Sequence, residues 1–389
     1  MASAEHITLT PDLPPMADSH GSSSSTSPPT PSATAAQTTS SWSLVLFIST
    51  VAVVVMSILL VQFDTFDAAT YPSDVLTQEP MFVLPRTNPR MLHGSEKIGE
   101  GQLLGPEDIV FDPKLRVIYT SCVDGWIKRV TVNDSVVENW VNTGGRPLGL
   151  ALGYSGEVYV ADAFKGILKI TEDGAIEALT DEAEGVKFGT TDAVAVAKDG
   201  VLYFTDASWK YELHNFVLDI LEGRPYGRFM SYDPSTKETK VIARDLYYAN
   251  GVEMSPDQDF VIFCETVMLR CKRYYIQGEK AGSIDIFVDR LPGMPDNIRY
   301  DGEGHYWIAI PTFLAVLDKY FKRPSMERNA GVVVVDLNGK PIARYHDPES
   351  KFVTTGIKIG EHLYLGNLMK SFVMRLNLTR YPAIAPSST

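Results

Sequence analysis

Three cysteines in 389 residues are too few for a disulfide framework, so the fold must rest on packed apolar side chains. Lysine and arginine are absent before Arg86, and no basic stripe interrupts a net charge of −13. An acidic chain without a basic face has nothing to attract a phosphate backbone, which excludes nucleic acid as a partner. Large apolar groups are almost missing from residues 19–41, which are mostly Ser, Thr, Pro and Ala. That composition cannot bury enough surface to offset its conformational entropy, and a disordered tail is expected over 1–42. Charge is missing altogether between Asp18 and Asp64, and inside that gap Leu44–Val61 is nearly all apolar.

A run of that length spans a bilayer. A cleavable signal peptide starts near the N-terminus behind basic residues, whereas this run follows about forty residues with no Lys or Arg. The reading is a single uncleaved anchor over 43–63 and a linker over 64–77, with Ala68-Ala69 leaving a later cleavage open. Basic residues are too distant to orient it. Orientation comes from two acceptor sequons, at Asn133 (Asn133-Asp134-Ser135) and Asn377 (Asn377-Leu378-Thr379). Use of either places the large domain in the secretory lumen, in the endoplasmic reticulum or vacuole, or outside the cell. Cys264 and Cys271 flank an expected hairpin turn, as a disulfide or as two buried thiols, and Cys122 is left over.

Six segments repeat one four-residue pattern: Pro106-Glu107-Asp108-Ile109, Pro147-Leu148-Gly149-Leu150, Thr191-Asp192-Ala193-Val194, Ala249-Asn250-Gly251-Val252, Pro295-Asp296-Asn297-Ile298 and Thr354-Thr355-Gly356-Ile357. Their second positions are spaced by 41, 44, 58, 46 and 59 residues. Each is followed by a polar turn and a β-rich run, as in Lys198-Asp199-Gly200 before Leu202-Tyr203-Phe204. Self-similarity at this period predicts an all-β, six-bladed β-propeller over 78–380, ending in a short tail over 381–389. The sixth unit is short and is expected to borrow its outer strand from the segment Met81–Leu103. Two insertions, Trp209–Arg228 and Thr312–Asn329, read as short amphipathic helices. They form either an apolar lid over the channel mouth or plain packing against blade edges.

In a propeller the innermost strands face one channel, so equivalent positions converge. Glu107, Asp192, Asn250 and Asp296 then meet at a hub, with Asn297 adjacent. Oxygen donors without His or Cys suit a hard cation, Ca2+, and disfavour zinc and copper. Any one of these residues alone reads better as a turn cap. Four in the same phase favour an ion, whether catalytic or a rivet between blades. His305, His346 and His362 fall on no shared spacing and take ordinary polar roles.

The stretches Ala249-Asn250-Gly251-Val252-Glu253-Met254-Ser255-Pro256-Asp257 and Leu291-Pro292-Gly293-Met294-Pro295-Asp296-Asn297-Ile298 resemble the plant strictosidine-synthase-like family. Cys264-Glu265-Thr266 and Tyr203-Phe204-Thr205-Asp206-Ala207-Ser208 are similar too. The resemblance covers about residues 75–380 and extends to the animal adipocyte plasma-membrane-associated protein. It implies kinship with paraoxonase and gluconolactonase propellers, where a catalytic calcium is held by residues matching Glu107, Asp192, Asn250, Asp296 and Asn297. Strictosidine synthase itself uses a sixth-blade glutamate as acid–base; Thr355 aligns there, and a hydroxyl cannot exchange protons near neutral pH. Leu148 stands where the paraoxonases place a water-activating histidine. The leading expectation is calcium-dependent hydrolysis of lipophilic or aromatic esters or lactones, with Asp192 or Asp296 deprotonating water. The rivals are amine–aldehyde condensation and a non-enzymatic scaffold for a ligand or protein.

Overall fold

The computed structural model describes residues 41–63, 65–73, 94–311, 330–347 and 352–383. Residues 1–40 of the tail expected over 1–42, the second insertion and residues 384–389 lie outside them. Two units emerge, Met1–Thr65 and Phe66–Thr389.

Among its described residues the first contains one helix, Ser41–Phe63. No charge interrupts it, and over Trp42–Leu60 it is long and apolar enough to cross a membrane. Three of its hydroxyls are satisfied within the helix: Ser49 donates to the Val45 carbonyl at 2.8 Å, Thr50 to Leu46 at 2.9 Å and Ser57 to Val53 at 2.8 Å. That back-bonding satisfies a polar side chain inside an otherwise apolar helix.

The second unit is the expected propeller, with six four-stranded antiparallel sheets. The innermost strands are Ile109–Asp112, Pro147–Leu152, Thr191–Val196, Ala249–Met254, Ile298–Tyr300 and Val353–Ile359. The ring closes as predicted: Glu96–Ile98 pairs with Val373–Asn377 as the fourth strand of blade six. Flanking blades sandwich each sheet, so inner strands such as Val117–Ser121 and Thr191–Val196 are buried on both faces. Between blades three and four Phe229 stacks on Phe263 at 4.3 Å. Each fully buried side chain of this kind contributes about 1.5–3 kcal/mol over its exposed state. Cys264 and Cys271 face each other in register on neighbouring strands and form a disulfide; Cys122 is free and buried.

Two segments differ from a plain propeller. The first insertion folds as expected, a 3-10 turn at Leu213–Asn215 leading into a helix at Phe216–Glu222. Gly223 ends that helix at φ 69°, and a Cβ there would lie 2.6 Å from the Ala69 carbonyl, so only glycine fits. The expected linker is not free chain: Asp67 N–H donates to Glu222 Oε1 at 2.9 Å, Ala69 N–H to the Glu222 carbonyl at 2.7 Å, and the buried Tyr71 hydroxyl to the Ile220 carbonyl. Residues 66–73 thus strap the inserted helix. At the other end the Ala383 N–H donates to the Tyr345 hydroxyl at 3.1 Å, so packing runs a few residues past the expected boundary at 380.

Candidate metal centre and pocket

Each innermost strand begins with a β-bulge. In blade one the Glu107 N–H donates to the Ser121 carbonyl at 2.9 Å while the Ser121 N–H returns to Asp108 at 3.3 Å, so two residues oppose one. Asp296 and Asn297 oppose Ala309 in the same way in blade five. Register shifts mark the equivalent points at Pro147/Leu150, Thr191/Val194, Ala249/Val252 and Val353/Thr355. A bulge re-aims side chains, and here it turns the first residue of each pair toward the axis. Backbones crowd at this level: a Cβ on Gly251 would sit 2.4 Å from the Asp296 carbonyl. Hydroxyls rivet the bulges together. Ser121 donates to the Leu148 carbonyl at 2.6 Å, Thr205 to Asn250 at 2.8 Å, Thr266 to Pro295 at 2.8 Å and Thr354 to Glu107 at 2.7 Å.

All six first-bulge residues, Glu107, Leu148, Asp192, Asn250, Asp296 and Thr354, line one pocket of about 350 Å³. Its walls are apolar and include Leu213, Phe216 and Ile220 of the inserted segment with Met294, Phe352 and Met369. The insertion is therefore a lid over the hub, the first of the two roles expected for it. The predicted convergence of Glu107, Asp192, Asn250 and Asp296 is present. Asn297 sits one step behind, its Nδ2 donating to Glu107 Oε1 at 2.8 Å, so it orients a hub carboxylate.

The sixth-blade assignment is corrected by one residue. Pairing of Val353 with Asn367 and of Thr355 with Gly366 makes Thr354 the counterpart of Asn250. Thr355 is fully buried and its hydroxyl donates to Asp108 Oδ1 at 3.1 Å, away from the pocket. It therefore has no catalytic position. The tetrapeptide alignment missed this because Thr354 and Thr355 are identical in type and the bulge absorbs the offset.

Three carboxylates share this low-dielectric hub. Burial pushes Glu107 well above the usual carboxylate range, reinforced by Asp296, Asp108 and Asp192, with Arg146 opposing. Asp296 is pushed well up by burial and then by Asp192 and Asp108. Burial, then Asp108, raises Asp192 to about 7. Three acceptor oxygens here meet no donor: Glu107 Oε2, Asn250 Oδ1 and Asn297 Oδ1. Among the described residues no three carboxylate, imidazole or thiol groups form a ready-made metal cage. The donor set that does converge is mixed, carboxylates with amides, and its orphaned oxygens fit a hard, flexible cation.

Two family models match, one described as strictosidine synthase over residues 192–279 and one as strictosidine synthase-like, N-terminal, over 88–130. The Arabidopsis thaliana protein STRICTOSIDINE SYNTHASE-LIKE 6 is 53% identical over 360 residues, covering 87% of this chain and 96% of that protein. This chain belongs to the strictosidine synthase-like family. The adipocyte plasma membrane-associated protein of Gallus gallus is 32% identical over 356 residues, covering 80% of this strictosidine synthase-like chain and 85% of that protein. Among solved structures, a gluconolactonase from Xanthomonas campestris superposes with a TM-score of 0.57 at 16% identity, covering 77% of this chain and 96% of that one. The calcium-binding protein regucalcin from Agrobacterium tumefaciens gives 0.54 at 16% identity, covering 72% and 92%. These two likenesses show the fold.

Sequence reasoning overlooked two pocket residues of this strictosidine synthase-like protein. Arg146 immediately precedes the second tetrapeptide and is 6% exposed. A basic residue beside a hub repeat was the available signal. Tyr248, two residues before Asn250, lines the pocket at φ 58°, a left-handed conformation that costs an aromatic residue about 1–2 kcal/mol. Strain of this kind collects at functional sites, and nothing in the pattern marked it.

Proposed function

We propose that this protein is a calcium-dependent hydrolase of small apolar esters or lactones, held to a membrane by Ser41–Phe63 with the propeller on the lumenal or extracellular side. The observation that carries the reading is the hub itself: three buried carboxylates in an apolar pocket, with Glu107 Oε2 and Asn250 Oδ1 partnerless there and Asn297 Oδ1 partnerless just behind. Glu107, Asp192, Asn250 and Asp296 would hold the ion, with Asn297 fixing Glu107. When bound, the ion supplies Lewis acidity toward a carbonyl oxygen and lowers the pKa of water. Asp192 and Asp296 line the same pocket, and one of them, Asp192 or Asp296, would accept the proton of an attacking water. Leu213, Phe216 and Ile220 cover the reacting centre, exclude bulk water and select an apolar acyl group. The fold neighbours, a gluconolactonase and the calcium-binding protein regucalcin, are consistent with this chemistry.

Amine–aldehyde condensation is disfavoured because both sixth-blade hydroxyls are committed, Thr354 to the Glu107 carbonyl and Thr355 to Asp108. The lumenal placement is supported by the Cys264–Cys271 disulfide, which suits an oxidising compartment such as the endoplasmic reticulum or vacuole. Asn133, exposed in a turn, and Asn377 both lie at the strand ends away from the pocket, where a glycan would not obstruct it.

Full-length protein in detergent, assayed on aryl esters and lactones with calcium, with chelator and as Asn250→Ala, tests the proposal. Calcium-dependent turnover lost in the variant supports it. A calcium-stabilised protein without turnover on either class would make the ion a rivet and the protein a binding scaffold.

A further inference from the structure

We propose that Arg146 makes the pocket a receptor for a carboxylate, so that its ligand is a small amphiphilic anion with an apolar body. The inference adds a substrate class to the pocket of the proposed hydrolase and rests on that pocket binding a ligand.

The argument begins with where the guanidinium is and what it touches. Arg146 opens blade two, directly before the inner strand Pro147–Leu152. Its main chain is fixed, the N–H donating to Asp162 Oδ1 at 3.0 Å. Asp162 is then fully engaged, accepting also from the Phe164 N–H at 3.0 Å and the Thr143 hydroxyl at 2.8 Å. Nη1 of Arg146 donates to the neighbouring Pro147 carbonyl at 2.7 Å. Nη2 is buried and meets no acceptor. Two other buried guanidiniums are locked to carboxylates, Arg228 to Asp206 at 2.7 Å and Arg299 to Asp108. Arg146, in contrast, reaches the pocket with donor capacity to spare.

A buried, unpaired guanidinium N–H costs more than a neutral donor, and an anionic oxygen is its strongest partner. The pocket itself offers none that is free once a divalent ion engages Glu107, Asp192 and Asp296. Competing donors are scarce as well, since the hydroxyls of Thr354 and Thr266 already bond main-chain carbonyls. Opposite the guanidinium the walls are Leu213, Phe216, Ile220 and Met294. Once an ion offsets the hub carboxylates, one cationic fork in a chamber of about 350 Å³ with apolar walls is complementary to an aryl or medium-chain carboxylate. In the hydrolase reading that species is the product acid, or a substrate carrying a second acidic group.

The test uses full-length protein in detergent with saturating calcium, titrated by calorimetry with phenylacetate and with its neutral isostere phenylacetamide. Wild type is expected to prefer phenylacetate by about tenfold or more, the value of one charge-assisted hydrogen bond. Arg146→Gln and Arg146→Met are expected to erase that preference while leaving phenylacetamide affinity unchanged. Equal affinity of wild type for the two probes, or binding of neither at millimolar concentration, overturns the proposal without any variant. Preference retained in a folded variant also overturns it, because the ion would then be the anion receptor. A proportional loss for both probes assigns Arg146 a structural role and overturns it too. Since the readout is binding, absence of ester turnover would refute the hydrolase and leave this result standing.

Discussion

Arg299 and Asp108, 191 residues apart in sequence, form a buried ion pair on the channel axis directly below the hub. Asp108 is completely enclosed: Oδ1 accepts from Arg299 Nε at 3.1 Å, the Ile109 N–H at 2.8 Å and the Thr355 hydroxyl at 3.1 Å, and Oδ2 accepts from the Leu150 N–H at 2.8 Å. Arg299 lines a second cavity of about 630 Å³, among the strand turns at the opposite face. The pair is thus a plug between two chambers, joining blades one, two, five and six.

Breaking the plug from one side should be severe. Arg299→Met leaves the Asp108 carboxylate buried and uncompensated, which costs about 3–5 kcal/mol. Thermal or urea unfolding should show that loss, and Asp108→Asn added to Arg299→Met should recover part of it. A loss below about 1 kcal/mol, the range of an exposed ion pair, would mean the plug is wetter than its burial indicates.

Calcium should stabilise the protein through the hub. An ion that binds only the folded state adds about 2.7 kcal/mol at a hundred times its dissociation constant. The unfolding midpoint should therefore rise with calcium and fall with chelator. Asn250→Ala and Asp296→Asn should abolish the rise, whereas Thr355→Val should keep it because Thr355 faces Asp108 and not the pocket. A calcium response that survives Asn250→Ala would place the ion elsewhere.

Asp219 should make the lid helix pH-sensitive. Its carboxyl is 2% exposed, Oδ2 meets no donor, and burial raises its pKa from 3.8 to about 7, with the bond to Ser208 opposing. Between these values the folded state holds a proton that the unfolded chain has released. Stability from this group is therefore present near pH 4 and declines as pH rises through about 7. Asp219→Asn should flatten that decline and raise the unfolding midpoint at pH 8. An unchanged pH profile in the variant would refute the assignment.

The ring and its hub were legible because both follow from periodicity: six copies at one phase force six equivalent positions onto one axis. The borrowed closing strand was legible because the sixth unit is one strand short. What escaped was whatever the repeat does not encode. The bulge that moves the sixth position from Thr355 to Thr354 depends on hydrogen-bond register, which two adjacent threonines conceal. Arg146 and Arg299 act through partners up to 191 residues away, and neither occupies the repeat position. The strap of residues 66–73 was invisible because Asp67, Ala69 and Tyr71 form main-chain and single-residue bonds with no periodic signature.

The cysteines supply a prediction about the compartment in which the propeller folds. Cys264 and Cys271 are both fully buried and directly paired across adjacent strands, so they oxidise to each other without any change of backbone. Cys122 cannot join them; it packs beside Ile118 and Val130 in another blade, and burial pushes its thiol up to about 12. A thiol held in that form is a poor nucleophile. Native protein treated with an alkylating reagent should consequently take up no label. Denaturation without reductant should expose one thiol, Cys122, and reduction should then expose all three, read as mass increments on the intact chain. Three labels before reduction, in protein taken from its own membrane, would show that the pair is reduced there, and the lumenal placement of the propeller would fail with it.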